Sequence, residues 1–210
     1  MSDRETQVPR TGAMIGRAGL AIALALSLGG CLGGLLGGTK APPTLLRLTA
    51  SEAALAGTSA SGKPGDAIMV MEPETDNRLA VQRVPVQVNA VDVAYLKDAQ
   101  WVERPARQFR ALLAERLRAK GGRLVVEDDQ PVPATGTRLS GKLLDLGFDA
   151  RSQSAVVRFD ALRTSPSGVV TTRRFEAKVG GVSATAASVG PALNQAANEV
   201  AGQVVEWMGQ

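Results

Sequence analysis

The amino-acid sequence predicts an α+β fold: a single two-layer domain with a mainly antiparallel sheet and two amphipathic helices packed on it. Three observations point there. Two segments repeat apolar residues at intervals of three and four, while five or six shorter stretches alternate with a period near two. The 210 residues are too few for more than one sizeable core. Helices that close one face of such a sheet leave the other face solvated or joined to a partner.

The elements follow in order along residues 44–210. Thr44–Leu48 is a short apolar segment, and Gly57–Gly65 (GTSASGKPG) is a loop. Asp66–Met71 reads as a strand. Arg83–Val93 alternates Val84, Val86 and Val88, then slips phase to Val91 and Val93, which predicts one strand with a bulge. Arg104–Lys120 sets Ala106, Phe109, Leu112, Leu113 and Leu117 in one stripe. This is an amphipathic helix opened by Pro105 and stopped by Gly121-Gly122. A short strand, Arg123–Val126, precedes a proline-containing loop.

Three longer strands follow: Thr137–Phe148 with a phase shift at Leu143-Leu144, Ala155–Arg163 burying Val157, Phe159 and Ala161, and Val169–Val179. The last offers Val169, Phe175, Ala177 and Val179 to one face, and Ser165–Gly168 turns the chain before it. Ser188–Met208 spaces Val189, Leu193, Ala196, Ala197, Val200, Val204 and Trp207 as a second helix.

Composition narrows the chemistry. With no histidine and one cysteine, the chain lacks the inventory for His-based acid–base catalysis, Cys/His metal clusters or an internal disulfide. Aromatic residues make up 3%, too few for platforms that stack bases or sugars. The net charge of +4 falls to +3 without residues 1–30, an excess that a solvated surface accounts for without nucleic acid. Asp128-Asp129 reads as a solvated turn rather than a metal or acid–base pair. Ser59–Lys63 lacks the glycine spacing of a phosphate loop. Neither a G-x-S-x-G nor an S-x-x-K motif occurs, so the expectation is a non-enzyme that uses no cofactor, covalent lipid apart.

The first 43 residues carry a different signal. Ala18–Leu28 is an uncharged, mostly apolar run preceded by Arg10 and Arg17 and followed by Gly29, Gly30 and Cys31. A cationic flank, a short apolar core and small residues describe a secretory signal peptide, expected over residues 1–30 and too short for a membrane span of about 20 residues. Met14 also lies where a start codon would give a more compact signal. Leu28-Gly29-Gly30-Cys31 resembles the lipobox of bacterial lipoproteins, in which the cysteine is lipidated and becomes the first mature residue. A lone cysteine is most often a small buried hydrophobe, but its position behind this core favours lipidation of Cys31. Several acyl chains make such attachment effectively permanent. Leu32–Pro43 is Gly- and Pro-rich, so residues 31–43 are expected to form a lipidated tether. In enteric-type lipoproteins an Asp after the cysteine retains the protein in the inner membrane. Leu32 stands there instead, which implies the periplasmic side of the outer membrane.

Tyr95 and Trp101 are the remaining candidates. Either both rings cap the core where strand meets helix, or they are exposed anchors for a partner, a role in which such residues are over-represented.

In sequence order, several features resemble the ABC-type transport auxiliary lipoproteins. These are Cys31, the early strand Leu45-Leu46-Arg47-Leu48, Val93-Ala94-Tyr95-Leu96 running into Trp101, and the helix with Phe109 and Leu112-Leu113. Leu139–Phe148, Thr172-Arg173-Arg174-Phe175 and Trp207 complete the pattern. Thr44 stands where an aromatic residue is commoner. The resemblance implies a non-catalytic accessory of a transporter that moves lipids or other hydrophobic molecules between inner and outer membranes. Its partners would be a periplasmic protein with mammalian-cell-entry domains and the permease and ATPase of the system. A homo-oligomer is also compatible with the family. Two other readings remain open: a carrier that shields a hydrophobic ligand between sheet and helices, and an outer-membrane assembly or pilot lipoprotein.

Overall fold

Alternating apolar residues build a seven-stranded sheet with two helices on one face in the computed structural model, which describes residues 44–131 and 136–209. The expected signal peptide, Cys31 and the tether lie outside the described residues. The strands are β1 Ile68–Val70, β2 Arg83–Gln87, β3 Val93–Gln100, β4 Val125–Glu127, β5 Thr137–Asp149, β6 Ser154–Thr164 and β7 Val170–Val179. The helices are α1 Pro105–Lys120 and α2 Ala186–Met208.

The sheet is mixed, which corrects the expectation of a mainly antiparallel one. Strands β5, β6 and β7 form the expected antiparallel meander, with Phe159 opposite Phe175. The other edge of β5 is shared. Its start pairs in parallel with β1, Val70 opposite Leu139, and its end pairs in parallel with β2, Val86 opposite Phe148. Strand β4 also lies parallel to β1. The physical reason is the crossover: β2, β3 and α1 intervene between β1 and β4, so the chain returns to the sheet running in the same direction.

The core fills the space between sheet and helices. Leu139, Leu143, Leu146 and Phe148 of β5 and Ala155, Val157, Phe159 and Ala161 of β6 point inward and are buried. The register shift between Leu143 and Asp145 keeps Leu143 and Leu146 on the same face, as the phase slip in the sequence predicts. Phe109 of α1 meets Phe159 edge-on at 5.3 Å, and Trp207 of α2 meets Phe175 at 5.7 Å. Helix α1 begins at Pro105 and ends at Gly121, whose φ of 73° favours glycine. Helix α2 is capped by Thr185, whose side chain accepts from the Ser188 amide.

Three local expectations are corrected. Arg83–Val93 is a strand and a chain reversal, not one bulged strand. The Asn89 carboxamide oxygen accepts from the Val91 and Asp92 amides and turns the chain there. Val169 does not join Phe175 and Ala177 in the core; it closes the Ser165–Gly168 turn and is 61% exposed. Thr44–Leu48 forms no strand beyond a single bridge between Leu46 and Trp101.

Candidate docking surface

The β2–β3 hairpin presents its tip as a fixed shape. Besides the two amide bonds it accepts, Asn89 donates through Nδ2 to the Asp92 carboxylate at 2.6 Å, and the Val88 amide donates to the Asp92 carbonyl at 3.0 Å. This leaves Val88, Val91 and Val93 exposed, Val91 at 84%. A turn held by its own side chains loses little conformational freedom on binding, which favours contact by exposed apolar groups.

Tyr95 lies on β3 and Trp101 just after its end, with different fates. Trp101 is buried, 1% exposed, and its indole nitrogen has no hydrogen-bond partner among the described residues. Tyr95 is half-buried. The Arg83 guanidinium stacks over its ring at 4.2 Å, and its hydroxyl donates to the Arg78 carbonyl at 3.5 Å. Between them Leu96–Ala99 loop out of register with β2, and Asp98 adopts a φ of 55°. Such a bulge interrupts a sheet edge that would otherwise pair with another chain.

The outer face of the sheet is charged. Arg158 binds Asp145 at 2.6 Å and also Glu176, which in turn binds Lys178 at 2.7 Å. Hydrogen bonds from Lys178 and Arg158 hold the Glu176 carboxyl below its ordinary pKa. Arg174 forks onto Asp160 at 2.5 and 2.6 Å and lowers the Asp160 pKa in the same way. Grooves on this face, such as that bounded by Glu72, Arg138, Lys142, Asp160 and Arg174, are lined by charged groups rather than by a continuous apolar wall.

Asp128 and Asp129 form an exposed turn whose carboxylates are engaged. Arg110 of α1, with its side chain 6% exposed, binds Asp128, Asp129 at 2.7 Å and Glu127 at 3.2 Å. Burial works against the guanidinium charge, but hydrogen bonding to Asp129 and the two aspartate charges outweigh it, so its pKa stands above the ordinary value. The turn is exposed, as expected from the sequence, and its carboxylates also neutralise a buried arginine. No group of three potential metal ligands occurs among the described residues.

Sequence reasoning missed a polar strap at the start of the described chain. The amides of Leu48, Thr49, Ser51 and Ala54 donate to Gln108, Asn194, Asn198 and Glu115 at 2.7–2.9 Å. Helix side chains thus take the place of a partner strand, and the chain leaves the domain at Thr44 from a fixed point. The only sequence signal was a set of amides, Gln108, Asn194 and Asn198, on otherwise apolar helix faces.

Residues 48–205 match the model of the ABC-type transport auxiliary lipoprotein component. The chain belongs to that family. Family membership makes it an auxiliary component of ABC-type transport. Two solved structures share the fold of this auxiliary lipoprotein. A Xanthomonas campestris protein assigned to DUF330 is 15% identical with a TM-score of 0.61, covering 80% of this chain and 92% of that one. The crystal structure of an uncharacterized protein is 14% identical with a TM-score of 0.59, covering 79% and 99%. No curated protein is similar enough to match. Within the auxiliary-lipoprotein domain, Val88, Val91 and Val93 are exposed at the hairpin tip with Tyr95 behind them, and Trp101 belongs to the core.

Proposed function

We propose that this protein is a lipoprotein held by lipid on Cys31 to the periplasmic side of the outer membrane. There it acts as a non-catalytic docking accessory of an ABC-type transporter. Its partner is the periplasmic mammalian-cell-entry protein of that transporter, with the inner-membrane permease and ATPase beyond it. The cargo is lipid or another hydrophobic molecule passing between the membranes. The observation that carries this reading is the family match over residues 48–205 behind a lipobox-like Leu28–Cys31. Residues 1–30 are the cleaved signal, 31–43 the tether and 44–210 the working domain.

The packing favours docking over the carrier reading. A carrier needs a continuous apolar pocket between sheet and helices, but Phe109, Phe159, Leu143 and Leu193 fill that space and are fully buried. What remains for function is the outside. A tethered domain acts by position, because confinement raises the effective concentration of a weakly binding partner without any catalytic group.

The test is to crosslink the lipidated protein in its native cells and identify co-purifying proteins and lipids by mass spectrometry. Recovery of a mammalian-cell-entry protein with its permease is expected, and Val91→Asp or Tyr95→Ala should lower that recovery about tenfold, as loss of a hot-spot contact does. Recovery of lipid without those proteins overturns the docking role. Cys31→Ala should release the protein from membranes, and its continued attachment would overturn the anchor.

A further inference from the structure

The hairpin has a second end, and its surface chemistry differs from that of the tip. Leu46 pairs with Trp101 in a parallel bridge: the Leu46 amide donates to the Gln100 carbonyl at 2.7 Å, and the Val102 amide donates to the Leu46 carbonyl at 2.9 Å. On the other side the Trp101 amide donates to the Gln82 carbonyl at 3.0 Å, and Gln82 Nε2 donates to the Val102 carbonyl at 3.1 Å. Three short segments therefore lie side by side. Leu46 and Trp101 share the inner side, so alternation turns the flanking residues outward. Leu45, Val81 and Val102 are accordingly exposed at 50%, 38% and 42%.

Arg47 and Arg83 lie on the same outer side, both exposed, and neither forms an ion pair among the described residues. Arg83 stacks only on Tyr95. Apolar side chains bordered by cations without acidic partners match the interface of a bilayer that carries anionic headgroups. The tip, by contrast, carries Asp92 beside Asn89 and faces a groove where Asp76, Asp145 and Asp149 are interleaved with Arg78, Lys142, Arg151 and Arg158, so that end mixes both signs of charge while this one presents unpaired cations.

The chain leaves the domain at this same end. Thr44 precedes Leu45, and the polar strap fixes the next ten residues to the helices. Twelve residues separate Cys31 from Thr44, and even a fully extended chain of that length reaches only about 40–45 Å. A lipid on Cys31 would keep this face within that distance of the headgroups.

We infer that the face formed by Leu45, Val81, Val102, Arg47 and Arg83 seats on the anionic phospholipid surface, turning the Val91 tip away from the membrane. The inference rests on lipidation of Cys31. Its consequence is a fixed orientation: the tether places the domain at the bilayer, and this face sets which side looks into the periplasm.

With Cys31 lipidated, an introduced cysteine is the only free thiol. Lipidated Val102→Cys, Leu45→Cys and Val91→Cys variants carrying an environment-sensitive fluorophore are reconstituted into phosphatidylethanolamine–phosphatidylglycerol vesicles with brominated acyl chains. Flotation is measured first. Labels at positions 102 and 45 should be quenched at least twofold more than the label at 91. Adding Arg47→Glu and Arg83→Glu, or replacing the lipid with phosphatidylcholine, should abolish that difference. Floating protein with equal quenching at 102 and 91 overturns the seated face and leaves the anchor standing. Undiminished quenching on phosphatidylcholine overturns the anionic surface as partner. Emission that follows protein density rather than bromination overturns it in favour of a second copy of the chain. Protein that does not float overturns the anchor and this inference together.

Discussion

Strands β6 and β7 carry two adjacent cross-strand pairs on opposite faces of one sheet. Phe159 opposite Phe175 points inward, against Phe109 and Trp207; Asp160 opposite Arg174 points outward, to solvent. The backbone is the same and the register differs by one residue, yet the two pairs belong to different energy scales. Removing a buried aromatic ring costs about 3–5 kcal/mol, whereas an exposed ion pair contributes roughly 0–1 kcal/mol. The inner face therefore holds the fold, and the outer face contributes little to it.

The largest effect expected is on the inner face. Phe159→Ala should destabilise the domain by about 3–5 kcal/mol, read as a lower urea midpoint with an unchanged slope. A loss below about 1.5 kcal/mol would break the comparison, because the site would then have collapsed around the missing ring. Next is a polar group that is buried as well as charged. Arg110→Met keeps much of the volume but leaves Asp128 and Asp129 to repel each other without their cation, Glu127 keeping only Arg118, which should cost about 2–3 kcal/mol at neutral pH. Glu127 and Asp128 are partly exposed and Asp129 is half-exposed, so solvent relieves some of that repulsion. The deficit should shrink in high salt, which screens these exposed carboxylates; a deficit independent of salt would assign it to packing instead.

The strap is intermediate. Asn198 is buried, accepts from the Ser51 amide and donates to the Thr49 carbonyl at 2.8 Å. Asn198→Ala leaves both backbone groups unpaired, at an expected cost of about 1–2 kcal/mol. Amide exchange at Ser51 should accelerate while that of Phe159 stays near the global rate. Equal acceleration at both would make the strap part of the core rather than a clasp on it.

What could be read from the sequence follows the same division. Helices and the β5–β7 meander were legible because their apolar spacing reports a buried face, and neighbouring strands pair locally. The parallel pairings of β1 and β2 with β5 were not, since a crossover through α1 leaves no periodic trace. Val91 read as strand because valine favours strands, although the decisive residue was Asn89, whose carboxamide turns the chain. Arg110 hid its role in a helix rich in arginine: nothing in a linear pattern distinguishes the one that meets Asp128 and Asp129. Tyr95 and Trp101 were singled out together in the sequence, but the Leu96–Ala99 bulge puts them in different surroundings, Trp101 buried and Tyr95 half-buried.

The smallest expected effect tests the outer face directly. Hydrogen bonding from Arg174 holds the Asp160 carboxyl below the usual carboxylate range, with partial burial opposing it. A carboxyl whose pKa is lower in the folded than in the unfolded chain stabilises the fold above its unfolded value, near pH 4, and that stabilisation is lost as pH falls through the folded value. Asp160→Asn should therefore lower the thermal midpoint by no more than about 1–2 °C at pH 7, and the difference from the parent should vanish in acid. High salt should reduce it as well, because both partners are open to screening. A difference of several degrees, or one that persists below the pKa of Asp160, would mean that the outer face helps to hold the fold, and the division between the two faces would go.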